Sequence, residues 1–265
     1  MLYYLTVRLK LKKYIKEAEM KKIVILLFLI VNLFSNETQN IKMYTEYGPP
    51  YNMKDENGKL QGLSIEILEA MLKQMNSKQS INDVKFRSWA KSYAIAQKKQ
   101  NTMVFSTIRT KSREKLFKWV GPITTAKIGV IALKSKNIVI KNISDLNKYR
   151  IGAVLKDVGE TLLLDAGVNK NLIQYVKGED TINISFNKMQ KNRIDMFAYY
   201  TDVAFANAKI KGFDIDKYEV IYILKTGYLY FAFNKNTDNK IIQKWQNALD
   251  TIKKNGIYKK IHDKY

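Results

Sequence analysis

The feature that most constrains this chain is an alternation of strand-like and helix-like segments that runs through twice. Residues 41–51, "IKMYTEYGPPY", read as a strand entering a Pro-Pro turn, and "DENG" at 55–58 reads as a second turn. "LSIEILEAMLKQM", residues 63–75, sets Ile65, Leu68, Met71, Leu72 and Met75 at helical spacing, with Ser64 as the expected N-cap. "DVKFRSW" (83–89) reads as a strand, "AKSYAIAQKKQ" (90–100) as a short helix, and "TMVFST" (102–107) as a strand buried on its apolar side. Alternation of this kind is the signature of a parallel α/β sheet.

The pattern then restarts. "SDLNKYRIGAVL" (144–155) gives a capped turn and a strand, "VGETLLLDAG" (158–167) a helix, "NLIQYV" (171–176) a strand, "INISFNKMQKNR" (182–193) a helix and "IDMFAYY" (194–200) a strand. "KTGYLYFAFNK" (225–235) is an aromatic alternating strand with no helix of its own. A long helix broken at Gly256 closes the chain, with Ile241, Ile242, Trp245, Leu249 and Ile252 on one face. No Pro/Gly/Ser-rich linker separates the two α/β units, so they are expected to be joined by extended strands acting as a hinge. Ligands of open α/β sheets bind beyond the carboxyl ends of the strands, which puts the site in a cleft between the units.

Composition narrows the chemistry. The chain has 265 residues, 46% of them hydrophobic, enough for one large domain or two small ones. A net charge of +22 raises nucleic-acid binding as a possibility, but the lysines are scattered and no helix-turn-helix or zinc pattern accompanies them. They read as a solvating surface, and no nucleic-acid partner is expected. There is no cysteine, and the single histidine, His262, stands three residues from the end, where it reads as a surface residue of the last helix. Thiol chemistry, Cys metal sites and Ser-His catalysis therefore lack raw material, and neither a cofactor nor a metal is expected.

The N-terminus carries two candidate starts. Met20-Lys21-Lys22 precedes the apolar run "IVILLFLIVNLFS", which ends at Ser35 before a polar exit. This is the pattern of a secretory signal peptide over 20–35, and the apolar run is short for a membrane span. Residues 1–19 then read as an over-called extension, or instead as a long, basic n-region of the same signal. No cysteine follows the apolar run, so the exported protein is not expected to be lipid-anchored; free diffusion after export points to a periplasm.

Five stretches, "TEYGPPYNMKDENGKLQGLSIEILEAML", "FSTIRTKSREKLFKWVGPI", "RIGAVLKDVGETLL", "NRIDMFAYYTDVA" and "NGIYKKIHDKY", occur in an order that resembles the family-3 extracellular solute-binding proteins, the polar amino-acid binders of ABC importers. The resemblance covers about residues 41–265. It implies a two-lobed periplasmic-binding-protein type II fold, α/β throughout, with hinge strands and a central cleft. Lobe 1 would take 41–131 completed by 232–265, and lobe 2 would take 132–231. It also implies a monomeric receptor that captures a small carboxylate-bearing solute, an amino acid or a relative of one, for an ABC permease in the inner membrane.

Residue by residue, the resemblance places Arg113 where the family binds the ligand carboxylate. A guanidinium suits that task because it pairs bidentately, which a lysine cannot do. Ser106 and Thr107 would assist from the end of the "MVFST" strand. Arg109 stays open between solvent and an ion pair that closes the lobes, while Lys111, Lys115 and Lys118 read as solvated. Tyr47, Tyr51 and Trp89 are expected to wall the cleft. Asp157 has two compatible readings, as helix cap or as receptor for a ligand ammonium. One departure is clear: many relatives carry an Asp for the α-ammonium where this chain has Tyr200. Either Asp157 or Glu46 replaces that acid, or the ligand is not an ordinary α-amino acid. An alternative on the same scaffold is a dehydratase of the cyclohexadienyl type, with Glu46, Asp157 or Glu160 as the acid.

Overall fold

The computed structural model describes residues 40–265; the extension at 1–19 and the export segment at 20–35 lie outside the described residues. Among the described residues no helix is long and apolar enough to cross a membrane.

The centre of the molecule is a ribbon of two long strands. Strand β6 (Phe117–Leu133) and strand β10 (Tyr218–Asn234) each run for 17 residues and pair antiparallel from Phe117↔Asn234 to Leu133↔Tyr218. At about 3.3 Å per residue the ribbon is about 55 Å long. Register shifts near Val220, Ile223 and Leu229 bend it.

Each end of the ribbon carries its own group of strands. At one end β5 (Thr102–Ile108) pairs antiparallel with Leu229–Phe233 of β10; β1 (Lys42–Thr45) lies parallel to β5, and β4 (Lys85–Phe86) parallel to β1. At the other end β9 (Met196–Tyr200) pairs with Ile128–Ala132 of β6, followed in parallel by β7 (Ile151–Val154) and β8 (Ile173–Val176). The full order is β4-β1-β5-β10-β6-β9-β7-β8. The sheet is therefore parallel on both flanks, as the alternation predicts, and antiparallel along the ribbon. A separate two-stranded ladder joins β2 (Met53–Lys54) to β3 (Leu60–Gln61).

The helices fall where apolar spacing puts them, with instructive differences. Helix α1 spans Leu63–Gln74 and buries Ile65, Leu68, Met71 and Leu72. Its N-cap is Gly62, not Ser64. Gly62 sits at φ 115°, and a Cβ there would lie 2.5 Å from the Tyr51 carbonyl oxygen, so the chain enters this helix through a position that only glycine fills comfortably. The strand expected over 83–89 shrinks to β4, because Ser80 and Asp83 form a capping box that winds Ile81–Asp83 into a 3-10 turn. Trp89 opens helix α2 (Trp89–Lys98).

In the second half α3 (Val158–Asp165), α4 (Thr181–Gln190) and α5 (Thr201–Ile210) follow β7, β8 and β9 in turn. Helix α6 (Asn239–Lys254) returns to the first half and buries Trp245, Ala248, Leu249 and Ile252, a stripe at i, i+3, i+4 and i+7. Trp245 meets Phe233 edge-on at 5.2 Å. Helix α7 (Ile257–His262) follows Gly256. His262 is half-buried rather than a free surface residue: its Nε2 lies 3.1 Å from the Ile123 carbonyl and its ring lies 4.3 Å from that of Tyr258.

Candidate functional site

The strand ends of the two halves face a cavity of about 20 Å³, room for roughly one water molecule. Glu46, Tyr51, Trp89, Ser106, Tyr199 and Tyr200 line it, together with Asn52 and Phe105. Four hydrogen bonds cross between the halves around it. Trp89 Nε1 donates to the Lys156 carbonyl at 2.8 Å, and Arg113 Nη2 to the same carbonyl at 3.3 Å. Tyr199 Oη donates to Glu46 Oε1 at 3.1 Å, and Tyr51 Oη to Asp202 Oδ2 at 3.3 Å. The site is shut.

Local structure explains how each side chain arrives. After β1 the backbone folds back on itself, Gly48 bridging Asn52 around the two prolines, and this holds Glu46 and Tyr51 at the cavity. Asn52 Nδ2 secures the turn by donating to the Glu46 carbonyl at 3.0 Å. Ser106 lies in β5 with φ 57°, a left-handed kink that breaks the strict alternation of the strand. That kink is why Phe105 and Ser106 both line the cavity while Thr107 does not. Ser106 Oγ donates to Asn52 Oδ1 and shares a 2.9 Å hydrogen bond with the Ser64 hydroxyl. Thr107 is fully buried, its hydroxyl directed to the Val104 carbonyl at 3.4 Å. Tyr47 is half-buried and is not part of the lining. Tyr199 and Tyr200 both reach the cavity because β9 ends there, Tyr200 serving as the N-cap residue of α5.

Arg113 stands behind the lining, 3% exposed. Its guanidinium carbon is 5.3 Å from the Trp89 ring and 5.1 Å from the Tyr93 ring, which project side by side from α2 at i and i+4. Its hydrogen bonds are long ones to carbonyls, 3.5 Å to Ile108 and 3.3 Å to Lys156, so the fork keeps donor capacity. Arg109 is exposed and does not bridge the halves: it pairs with Glu114 inside its own turn, Nε to Oε2 at 2.7 Å, and lies over the Trp119 and Tyr230 rings. Lys111 and Lys115 are exposed, but Lys118 is tied down, its Nζ donating at 2.6 Å to both the Thr237 carbonyl and Asn239 Oδ1.

Two acids complete the electrostatics. Asp157 is fully buried at the N-cap position of α3, yet it makes no capping hydrogen bond and both carboxylate oxygens lack a partner. Burial pushes its pKa up to about 6, with the Arg113 guanidinium and the nearby N–H groups of Val158 and Gly159 pulling the other way; those N–H groups are close but miss hydrogen-bond geometry. Glu46 retains some accessible surface where it lines the cavity, but protein crowds it on all sides, and desolvation with the Asp157 charge raises its pKa to about 8. The Tyr199 hydrogen bond and the Trp89 N–H offset part of that rise. Tyr200 Oη is buried without a partner, and burial beside Asp157 raises its pKa. Glu160 is occupied in accepting from the Lys156 N–H. Among the described residues no cluster of His, Cys, Asp or Glu could hold a metal ion.

The model of the bacterial extracellular solute-binding proteins, family 3, matches residues 41–265. The chain belongs to that family. This family-3 solute-binding protein is 24% identical over 238 residues to "Probable amino-acid-binding protein YxeM" of Bacillus subtilis (strain 168), covering 88% of this chain and 87% of that one. It is 26% identical over 223 residues to "ABC transporter arginine-binding protein 1" of Escherichia coli (strain K12), covering 82% and 86% of the two chains. Among solved structures it is similar to an ancestral arginine-binding protein bound to arginine, with a TM-score of 0.71, 25% identity, and coverage of 87% of this chain and 99% of that one. The fold is the two-lobed α/β fold of the periplasmic binding proteins.

Sequence reasoning missed Gly48, Asn52, Phe105, Tyr199 and Val203 in the lining. The double tyrosine before "TDVA" was the available signal for Tyr199. Phe105 had none, because an unkinked strand would point it away from Ser106.

Proposed function

We propose that this family-3 protein captures a small amino acid or a relative of one outside the cytoplasm and delivers it to an ABC permease. The observation that carries this reading is Arg113: a buried guanidinium, flanked by two aromatic rings, with unspent donors at the meeting of the two halves. Such a group is suited to hold a carboxylate bidentately in a dry site. The names of the relatives, which refer to amino-acid and arginine binding, support the same class of solute. They do not favour the dehydratase alternative.

In this reading the β6–β10 ribbon is the hinge between lobes whose boundaries fall near residues 131/132 and 231/232. Opening breaks the bonds that Trp89 and Arg113 make to Lys156 and the Tyr199–Glu46 bond, and a ligand that contacts both lobes shifts the population toward closure. The protein acts as a monomer in the periplasm, exported by residues 20–35 and not lipid-anchored. Calorimetric titration with the common amino acids tests the reading. At least one is expected to bind, and both Arg113→Ala and Arg113→Lys are expected to weaken it at least tenfold. Unchanged affinity in Arg113→Ala would remove Arg113 as the anchor.

A further inference from the structure

The lysines are scattered in the sequence, but the fold gathers them. The first half, residues 41–131 with 232–265, carries 24 Lys and Arg against 10 Asp and Glu, a net +14. The second half, residues 132–231, carries 15 against 11, a net +4. Within the first half, six exposed lysines from four separate stretches meet at one end. Lys42 opens β1, and its N–H donates to the Asn101 carbonyl at 2.9 Å. Lys78 adjoins Gln79, whose side chain clasps the N–H and carbonyl of Ile41 at 2.8 and 2.9 Å. Lys98 and Lys99 close helix α2, Lys235 follows β10, and Lys240 stands in the first turn of α6. Side chains tie these stretches together: Asn234 Nδ2 donates to the Ala96 and Gln97 carbonyls, each at 2.8 Å, and Gln100 Nε2 to the Asn236 carbonyl at 3.0 Å.

This pole lies at the far end of the strands from the cavity: β1 starts at Lys42 and leads to Glu46, and β5 starts at Thr102 and carries Ser106. Among the described residues none of the six lysines forms an ion pair, whereas Lys73 pairs with Glu69 at 3.1 Å and Lys259 with Asp263 at 2.7 Å. The acids among them, Asp83 and Asp238, accept instead from the backbone N–H groups of Ser80 and Lys240, at 2.9 and 2.7 Å. Unpaired cations gathered on one face create a field that an anionic surface can answer. All six are lysines, compact point charges that suit a diffuse layer of phosphates; reading a nucleic acid calls for Arg forks on base edges or aromatic stacking. The export segment read at 20–35 is separated from Asn40 by four residues of sequence, so this pole is the part of the fold closest along the chain to it.

We propose that this lysine pole docks on the anionic phospholipid headgroups of a membrane and holds the protein there by charge alone. The choice of partner rests on the reading of the chain as an exported solute receptor. Because the pole is remote from the cavity, the docked protein keeps its cleft free for solute. The attraction reaches about one Debye length, about 8 Å at physiological salt, and weakens as salt is raised. It confines the receptor to the layer in which a permease sits, and it is reversible, so the receptor can turn its cleft toward that permease.

Flotation of the purified protein with vesicles tests this, using phosphatidylcholine alone and phosphatidylcholine with one-third phosphatidylglycerol, at low and at physiological salt. Binding is expected on the anionic vesicles only, and weaker at the higher salt. Each lysine near such a surface is worth about fivefold in affinity. The quadruple variant Lys98→Gln, Lys99→Gln, Lys235→Gln, Lys240→Gln is therefore expected to lose at least tenfold. A second quadruple variant, Lys134→Gln, Lys141→Gln, Lys170→Gln, Lys191→Gln, removes the same charge from exposed positions in the second half and is expected to lose less than threefold. Equal losses in the two variants overturn the proposal, because net charge and not the pole would then set the binding. Failure to float with anionic vesicles at low salt overturns it as well. So does binding to duplex DNA at physiological salt without binding to vesicles, which would make a nucleic acid the partner. None of these outcomes touches the solute-binding reading, which calorimetry with amino acids tests separately.

Discussion

Glu46 makes the folded protein a proton reservoir, and the Glu46→Gln variant exposes the consequence. The carboxyl has an ordinary value of 4.5 and is held at about 8 in the folded state. The folded state therefore binds more protons than the unfolded chain between those values. Stability contributed through this group is fully present below pH 4.5 and is lost as pH rises toward 8, the reverse of a salt-bridged carboxylate. Each pH unit in that window costs about 1.4 kcal/mol, so the interval from pH 5 to pH 7 costs at most about 3 kcal/mol. Water in the cavity that Glu46 lines screens part of this, leaving a loss of about 1–3 kcal/mol. Glutamine keeps an oxygen to accept from Tyr199 Oη and carries no charge. Urea unfolding of wild type and Glu46→Gln at pH 5, 6, 7 and 8 is the assay. The two proteins are expected to differ little at pH 5, with the variant gaining about 1–3 kcal/mol over wild type by pH 7. Parallel stability curves across this range would refute the reasoning, because they would mean that Glu46 titrates alike in both states.

Three further perturbations separate closure from packing. Trp89→Phe keeps the ring beside Arg113 but removes the donor to the Lys156 carbonyl; the closed form should lose about 1 kcal/mol, visible as a larger radius of gyration by small-angle scattering of the unliganded protein. Gly159→Ala should destabilise the fold by about 1–3 kcal/mol in urea, because the new Cβ would stand 2.4 Å from the Ala198 carbonyl oxygen of β9, a backbone atom that cannot swing aside. Trp245→Ala should cost about 3–5 kcal/mol by emptying the space between α6 and the Phe231 and Phe233 rings, and it should leave the affinity for any ligand of the folded protein within a few-fold of wild type.

The legible part of the fold was the part carried by local spacing. Helices α1 and α6 were readable because their buried residues recur at i, i+3, i+4 and i+7, which the chain displays without reference to anything distant. The long ribbon was only half legible. "KTGYLYFAFNK" announced the last part of β10, but "YEVIYIL" before it belongs to the same strand, and the register shifts at Val220 and Ile223 break the alternation that would have joined them. Strand β4 is shorter than its sequence suggests because a capping box competes locally with extension, and Ser64 offers a capping side chain where the true cap, Gly62, has none.

The site was legible as residue types and illegible as pairings. Arg113, Trp89, Asp157 and Glu46 could each be singled out, yet what each does in the closed molecule depends on partners far away in the chain: Trp89 on Lys156, Arg113 on Lys156, Glu46 on Tyr199. Contacts of that separation are made by the ribbon bringing two halves together, and no window of sequence contains both members. Burial is the larger cause of both raised acids, and the same dependence adds a second cause for Glu46. Asp157 and Glu46 come from opposite halves, so the repulsion that raises Glu46 is a property of closure.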